Sequence, residues 1–290
     1  MNLTEALSYG RKRLSAVGVD SPSLDAEVIL AHVLGVRRID LFIHPERRLS
    51  AEEIRTYRAL VEKRCSRVPV AYITGHKEFF TLDFQVKEGV LIPRPETEFL
   101  VEEVLLRISG VAGPKVAELC CGSGAVAVSV AFFNKSAVVY ASDISETAGE
   151  VTLMNAAKYG VEDRVRFLKG DLWEPFEAEG LRGFDVVAAN PPYIPSGEIE
   201  NLPRDVKYEP EVALDGGPDG LEFFRRIIAG VPRFLKPGGS IVLEFGKDQA
   251  GQIADLLRRE GFGGIKILKD YAGFERVIAA SLHVGDGSVE

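Results

Sequence analysis

The chain has 290 residues, of which 46% are hydrophobic, and its formal net charge is −8. Length and composition are those of a soluble globular protein with one large or two ordinary domains. They exclude a membrane-spanning protein, because no apolar run is long enough to cross a bilayer, and a disulfide framework, because there are only three cysteines.

The charge is distributed unevenly along the chain. Residues 1–70 carry 12 Lys and Arg against 9 Asp and Glu, whereas residues 71–290 carry 23 against 34. The acidic portion disfavours tight binding to nucleic acid, where neutralisation of phosphate dominates the affinity. The segment Met1–Glu5 lacks the features of a signal peptide, and no His/Cys spacing resembles a zinc site. We therefore expect a cytoplasmic protein without metal, membrane contact or direct nucleic-acid contact.

Residues 1–68 are predicted to form a small helical bundle that has no catalytic cluster. Ser21-Pro22-Ser23 is an N-cap signal for a helix that Gly35 can end, and Ser50–Glu53 has the capping-box pattern. Short amphipathic helices with short connections are typical of a bundle. We interpret this part as a substrate-recognition or scaffolding domain.

Residues 69–97 are predicted to form a β-hairpin linker. Glu78–Val86 is rich in aromatic and β-branched residues, which favours strands. The proline segment, Leu91–Glu98, follows, and two prolines stiffen it. Thr97 is placed to cap the helix that begins at Glu98. The polar side chains of this segment fit either a solvated turn or the wall of a site.

Residues 98–290 alternate strand and helix, which predicts an α/β fold with a doubly wound sheet. The link at 270–273 is too short for a crossover helix, so the last strand is predicted to be antiparallel in a seven-stranded mixed sheet. Only the last few residues look frayed. The predicted strands cover 115–119, 137–142, 164–168, 184–189, 240–245, 264–268 and 275–280.

The glycine loop, Glu118–Gly124, follows the first of these strands and opens a helix. Glycines let a ligand approach the backbone, and a helix N-terminus favours negative charge. Asp143 follows the next strand, where an acid can bind both ribose hydroxyls of a nucleotide. Asp171, after the third strand, is placed to accept from an adenine amine. Trp173 fits either a cover for the adenine face or the core.

The Asn-Pro-Pro-Tyr motif, Asn190–Tyr193, follows the buried strand 184–189. Two prolines stop the strand, and Pro191 restricts Asn190 to an extended backbone. The Asn190 side-chain oxygen and the Pro191 carbonyl are placed to accept both hydrogens of another planar NH2 group. The same four residues are also compatible with a strand that simply ends in a proline turn. No strong base stands near the motif in the sequence.

These motifs together resemble the Rossmann-like methyltransferases that use S-adenosylmethionine. The helical N-terminal part, Ala71–Gly75, the proline segment and Asn190–Pro195 extend the resemblance over nearly the whole chain, to the HemK/PrmC family. The resemblance implies methyl transfer to N5 of the Gly-Gly-Gln glutamine in class I peptide-chain release factors, by a monomer. One departure is Cys120, which replaces the usual first glycine of the loop; we expect it to take an ordinary negative φ.

The motifs and the resemblance together assign three groups of residues. The catalytic residues are Asn190, Pro191, Pro192 and Tyr193. The cofactor-binding residues are Glu118, Cys120, Cys121, Gly122, Ser123, Gly124, Asp143, Asp171, Trp173 and Asn190. The substrate-binding residues are Arg94, Pro95, Thr97, Glu98 and the whole Asn-Pro-Pro-Tyr motif.

Other readings of the sequence remain open at this point. The Asn-Pro-Pro-Tyr motif also occurs in DNA adenine and rRNA guanine methyltransferases, so the acceptor is alternatively an exocyclic base amine. A glutamine of another protein, such as a ribosomal protein, presents the same amide. A non-catalytic adaptor with this fold is disfavoured by the intact Asn190 and Asp143.

Overall fold

A computed structural model describes residues 1–283 of the chain. The final residues, which were expected to be frayed, lie outside this range. The chain divides into two compact units. Unit 1 contains Met1–His76 together with Leu202–Tyr208, and unit 2 contains Lys77–Asn201 and the described residues from Glu209 to 283. The division into 1–68, 69–97 and 98–290 stays a prediction.

Unit 1 is a helical bundle, as the N-terminal sequence predicted. Its helices are α1 (Leu3–Ala16), α2 (Pro22–Leu34), α3 (Asp40–Ile43), α4 (Ala51–Cys65) and α5 (Val70–Thr74). Ser50 forms the predicted capping box with Glu53, and Gly35 ends α2 in a left-handed conformation. The core consists of fully buried side chains from α1, α2 and α4, among them Leu14, Ile29, Leu30, Tyr57 and Val61.

A buried ion cluster ties the short segment Leu202–Tyr208 into unit 1. The guanidinium of Arg64, on α4, donates to Asp25 Oδ2 at 2.7 Å and to Asp205 Oδ2 at 2.5 Å. Arg64 is 5% exposed, so it has little water to replace these partners. Burial raises the pKa of Asp25, and the hydrogen bond from Arg64 opposes that rise.

Unit 2 carries the hairpin and the large sheet. The hairpin pairs β1 (His76–Phe79), which starts at the end of unit 1, with β2 (Leu82–Gln85). The sheet strands are β3 (Lys115–Leu119), β4 (Val138–Asp143), β5 (Val165–Lys169), β6 (Phe184–Ala189), β7 (Leu235–Glu244), β8 (Phe262–Lys269) and β9 (Glu275–Leu282). The helices are α6 (Glu98–Arg107), α7 (Ala125–Phe133), α8 (Glu146–Lys158), α9 (Glu174–Ala178), α10 (Glu222–Gly230) and α11 (Ala250–Arg259).

The sheet order is β5-β4-β3-β6-β7-β9-β8, and β9 runs antiparallel to both of its neighbours. The predicted seven-stranded mixed sheet with an antiparallel last strand is therefore confirmed. Alternate residues of β3 face two separate cores: Val116 packs with α6, α7 and α8, whereas Leu119 packs with α9, α10 and α11. This arrangement is a doubly wound sheet with both faces covered.

Two local predictions differ from the structure. The strand predicted at 240–245 begins earlier, at Leu235: residues 236–239 lie inside β7, where the pairing with β6 jumps from Leu235 to Ser240 and Gly238 has a φ of 76°. Thr97 does not cap α6, because it has helical backbone angles and no capping hydrogen bond. Within residues 1–283, no helix has both the length and the apolar character that crossing a membrane requires.

Removing Arg64 should destabilise unit 1. Arg64→Ala leaves Asp25 and Asp205 without their shared counter-charge, and breaking a buried pair in this way costs about 3–5 kcal/mol. Urea unfolding followed by far-UV circular dichroism measures the change, while fluorescence of the single tryptophan, Trp173, reports on unit 2. Arg13→Ala is the control: its exposed pair with Glu62 should contribute about 1 kcal/mol or less. Equal losses in the two variants would contradict the role of Arg64.

Candidate active site

The carboxyl ends of β3, β4 and β6 meet at one edge of the sheet, within unit 2. Leu119 of β3 pairs with Ser142 of β4 on one side and with Ala189 of β6 on the other. The residues that follow each strand therefore lie at the same level. A cleft of about 970 Å³, including the part open to solvent, lies at this edge.

Most of the predicted site residues line this cleft. They are Arg94, Thr97, Glu118, Cys120, Cys121, Gly122, Ser123, Asp143, Asp171, Asn190 and Pro192. The cleft also contains apolar residues outside the predicted set, among them Val90, Leu172, Val212 and Phe223. No sequence motif marks these four, because an apolar cleft residue has the same letter as a core residue.

The carboxylate of Asp143 organises the glycine loop. Its Oδ2 accepts from Gly122 N and its Oδ1 from Ser145 N, both at 2.9 Å. Burial raises the pKa of Asp143, and the backbone N–H donors oppose that rise. Each oxygen keeps a second lone pair, so the carboxylate can still accept hydrogen bonds from a ligand in the cleft.

Glu118 is a buried carboxylate in the cleft wall, and its Oε2 has no hydrogen-bond partner among residues 1–283. Burial raises the pKa of Glu118 to about 8, the Ala127 backbone N–H lowers it, and the charge of Asp143 raises it. A buried, unsatisfied carboxylate is costly unless a partner arrives. The donor that suits both Glu118 and Asp143 is a cationic ligand with hydroxyl groups.

Cys120 has a φ of 59°, so the expectation of an ordinary negative φ was wrong. The chain turns sharply after β3, and Cys121 N donates to Ser142 O at 3.0 Å to hold the loop against β4. That geometry needs left-handed backbone at 120 whatever the side chain. Gly124 also has a positive φ, of 72°, and a Cβ there would lie 2.8 Å from the Thr152 side chain.

Asn190 holds its side-chain amide against the proline segment. Its Nδ2 donates to Thr97 Oγ1 at 3.2 Å, and both residues line the cleft. Pro191 is buried, and the carbonyl of Tyr193 accepts from Gln249 Nε2 at 3.0 Å. Tyr193 and Pro191 are not among the residues that line the cleft.

Gly124 and three further predicted residues also lie outside the cleft lining. Trp173 is in the core, where its ring stacks on Phe234 at 4.2 Å and its Nε1 donates to a backbone carbonyl of α10, so it does not cover a ligand. Glu98 accepts from Phe80 N at 2.9 Å and thereby holds the hairpin. Pro95 is exposed at the start of a short 3₁₀ turn. Each was predicted from its position in a motif, which does not reveal which way a side chain points.

Two ion pairs close the sides of the cleft. Arg94 pairs with Glu209, a buried residue that also accepts from Ile92 N at 2.9 Å. Asp171 pairs with Arg226 of α10. Neither Glu209 nor Arg226 was predicted, because each is far in sequence from the motif it supports.

The chain is similar to proteins of known activity. The family profile of the PrmC N-terminal domain matches residues 5–75, and that of the methyltransferase small domain matches residues 95–202. A release factor glutamine methyltransferase of Moorella thermoacetica is 42% identical over 281 residues, which are 97% of this chain and 98% of that protein. One of Clostridium acetobutylicum is 43% identical over 281 residues, with the same coverage. A solved methyltransferase structure from Pyrococcus furiosus, 20% identical, covers 78% of this chain and 98% of its own, with a TM-score of 0.54, which shows the shared fold.

The strained backbone at Cys120 can be measured. Cys120→Gly should have a higher free energy of unfolding than Cys120→Ala, by about 1 kcal/mol, because glycine adopts a positive φ without the Cβ penalty. Chemical denaturation of both variants gives the difference. The same pair of substitutions at Cys121, whose φ is not positive, should give the opposite order, since glycine there only adds chain entropy. Cys120→Ala being the more stable variant would contradict the strain.

The buried carboxylate at Glu118 predicts a pH-dependent stability. A folded-state pKa of about 8, above the ordinary value of 4.5, means that the contribution of this group to stability is fully present below 4.5 and is lost as the pH rises through 8. Glu118→Gln removes this titration. Relative to that variant, the wild type should lose up to about 1.4 kcal/mol per pH unit across this window. Chemical denaturation of both proteins at several pH values measures this, and parallel pH curves would contradict it.

Proposed function

The chain belongs to the release factor glutamine methyltransferase family, and we propose that it transfers a methyl group from S-adenosylmethionine to N5 of the glutamine in the Gly-Gly-Gln motif of class I peptide-chain release factors. The observation that carries the proposal is the juxtaposition in one cleft of Asn190, with its NH2 group held by Thr97, and the two carboxylates Glu118 and Asp143. The amide oxygen of Asn190 suits a planar NH2 group, and the carboxylates suit a cationic nucleoside.

The residues of the cleft fit S-adenosylmethionine, which supplies an electrophilic methyl group on a sulfonium. Asp143 is placed to accept from the ribose hydroxyls, as in other nucleotide sites at this position of the fold. The unpartnered Oε2 of Glu118 is an acceptor for the ammonium group of the methionine portion. Leu172 and Phe223 offer apolar surface to the adenine, and Asp171 offers a carboxylate to its amine.

The substrate amide needs alignment more than it needs a base. Its nitrogen is a poor nucleophile, because resonance with the carbonyl ties up the lone pair. Acceptance of its two hydrogens by Asn190 Oδ1 and the Pro191 carbonyl would draw the NH2 group out of the amide plane and aim its lone pair at the methyl group. Alignment of this kind contributes roughly 7–11 kcal/mol in well-oriented reactions. The hydrogen bond from Gln249 Nε2 to the Tyr193 carbonyl holds the end of the motif in place.

The same amide chemistry applies to a glutamine of another protein and to an exocyclic base amine. The net negative charge of residues 71–290 disfavours nucleic acid as the substrate. We further infer that the protein acts as a monomer in the cytoplasm, which light scattering of the purified protein and fractionation of cells would test.

The test is methyl transfer from tritiated S-adenosylmethionine to purified release factor. Label should enter the release factor but not its variant with Gly-Gly-Glu in place of Gly-Gly-Gln, because a carboxylate has no NH2 group to methylate. Naked DNA, rRNA and ribosomal proteins, offered separately, should stay unlabelled. Label in any of these, with none in the release factor, would replace the proposed substrate.

Asn190 should affect the chemical step more than binding. Asn190→Ala removes the acceptor, and Asn190→Asp adds a negative charge that is costly to desolvate when it accepts the amide. Both variants should lower kcat by about 100-fold or more, the scale for one positioned transition-state contact, while the release factor still docks through remote surfaces. Single-turnover methylation, after a check that each variant is folded, measures the effect.

Asp143→Ala is the matched contrast. It should weaken S-adenosylmethionine binding by about 1.5–3 kcal/mol, the range for hydrogen bonds to a charged group, whereas the Asn190 variants should retain most of that affinity in calorimetry. A single-turnover rate of Asn190→Ala within a few-fold of the wild type would reduce the motif to a strand-end turn.

A further inference from the structure

Glu244 ends β7 directly beside Asn190. Leu243 pairs with Ala189 in the parallel register of β7 and β6, so the next residues, Glu244 and Asn190, lie at the same level of the sheet edge. Glu244 is 1% exposed, and its Oε2 has no hydrogen-bond partner among the described residues. A charged group in this position costs stability, so its presence needs a functional reason.

The polar side chains of Thr97 and Asn190 lie beside Glu244. The Thr97 hydroxyl and the Asn190 amide lie beside the carboxylate and favour its ionised form, and Asn190 Nδ2 donates to Thr97 Oγ1 at 3.2 Å. A carboxylate only accepts hydrogen bonds, so it selects the NH2 side of the Asn190 amide and turns Oδ1 away. Asn190 lines the cleft and Glu244 does not, so a substrate in the cleft approaches the Asn190 amide from the side away from Glu244.

We propose that Glu244 is a positioning residue: through Thr97 and directly, it fixes the orientation of the Asn190 amide so that Oδ1, and not Nδ2, faces the substrate NH2 group. This inference rests on the proposed function of Asn190. A neutral Glu244 carboxyl can donate to Oδ1, and the reversed amide would then present its NH2 group to the NH2 group of the substrate. Two donors that face each other cannot form the contact.

The charge state of Glu244 therefore determines the orientation of the Asn190 side-chain amide. Burial raises the pKa of Glu244 to about 7; the hydrogen bonds from Thr97 and Asn190 and the charge of Arg276 favour the ionised form, while the charge of Glu96 opposes it. Arg276 is itself held by Asp270 at 3.0 Å. The phenol of Tyr193 also feels the charge of Glu244, and burial raises its pKa, so it stays neutral.

The expected pH dependence follows from that ionisation. Below about pH 7 the wild-type single-turnover rate at saturating substrates should fall roughly tenfold per pH unit, because the ionised form orients Asn190. Glu244→Gln, which has the same shape, should lower the plateau rate by about 10- to 100-fold, the scale of a misplaced reacting group, and should abolish the acid limb. KM values for both substrates should change by about threefold or less, because the contact acts after binding.

The controls separate positioning from mere packing. Thr97→Ser keeps the hydroxyl and should retain the wild-type profile, whereas Thr97→Val should lower the plateau. Ser240→Ala, at a buried site on the same strand, should change neither rate nor profile. A Glu244→Gln enzyme with the wild-type rate, or with a lower rate and an intact acid limb, would overturn the proposal. If Glu244→Gln does not fold, the two Thr97 variants decide it: equal rates would overturn the proposal.

A second measurement needs no release factor and so separates this inference from the proposed substrate. In ¹⁵N NMR spectra of the wild type, the side-chain NH2 signals of Asn190 should shift with pH with a midpoint near 7. In Glu244→Gln they should stay constant. A wild type that shows this shift but leaves the release factor unlabelled would contradict the substrate alone. If the Asn190 signals of the wild type do not change with pH, the role of Glu244 is contradicted.

Discussion

The register of β3 with its two parallel neighbours is the constraint on which the site depends. Leu119 pairs with both Ser142 and Ala189, so three strands end at one level. A shift of one residue in either pairing would turn every side chain of a strand to the opposite face. The two apolar cores on either side of the sheet exclude such a shift. The packing of the sheet thus sets the distance between the glycine loop and the Asn-Pro-Pro-Tyr motif.

The site concentrates unfavourable features that the rest of the unit must offset. Within residues 1–283, Glu118 and Glu244 are buried carboxylates that each have one oxygen without a hydrogen-bond partner, and Cys120 has left-handed backbone. Such groups persist where the surrounding structure determines their positions and where they serve a ligand. The large side chains between the sheet and α9, α10 and α11, among them Trp173 and Phe234, provide the compensating burial on one face.

Much of the fold was predictable because hydrophobic runs, caps and turn residues are local signals. The strand Phe184–Ala189 was predicted with its observed bounds, and the short link after Lys269 revealed the antiparallel strand. Contacts between distant segments were not predictable. No local signal predicts a carboxylate beside Asn190, yet the pairing of β6 with β7 brings Glu244 there. The predicted sign of φ at Cys120 was wrong, because a residue preference says little where neighbouring hydrogen bonds dictate φ. The assignment of Trp173 to the cofactor site was wrong, because a motif does not report side-chain direction.

The path of the chain between the two units limits how one unit can be exchanged during evolution. Leu202–Tyr208 belongs to unit 1 although the chain before and after it belongs to unit 2, so the backbone passes between the units three times. A gene rearrangement that cut once near residue 76 would separate Arg64 from Asp205. It would also leave Leu202–Tyr208, a segment of unit 1, within the chain of unit 2. The helical unit therefore cannot be exchanged as a simple N-terminal cassette. Any lineage that replaces it must alter two places in its gene at once.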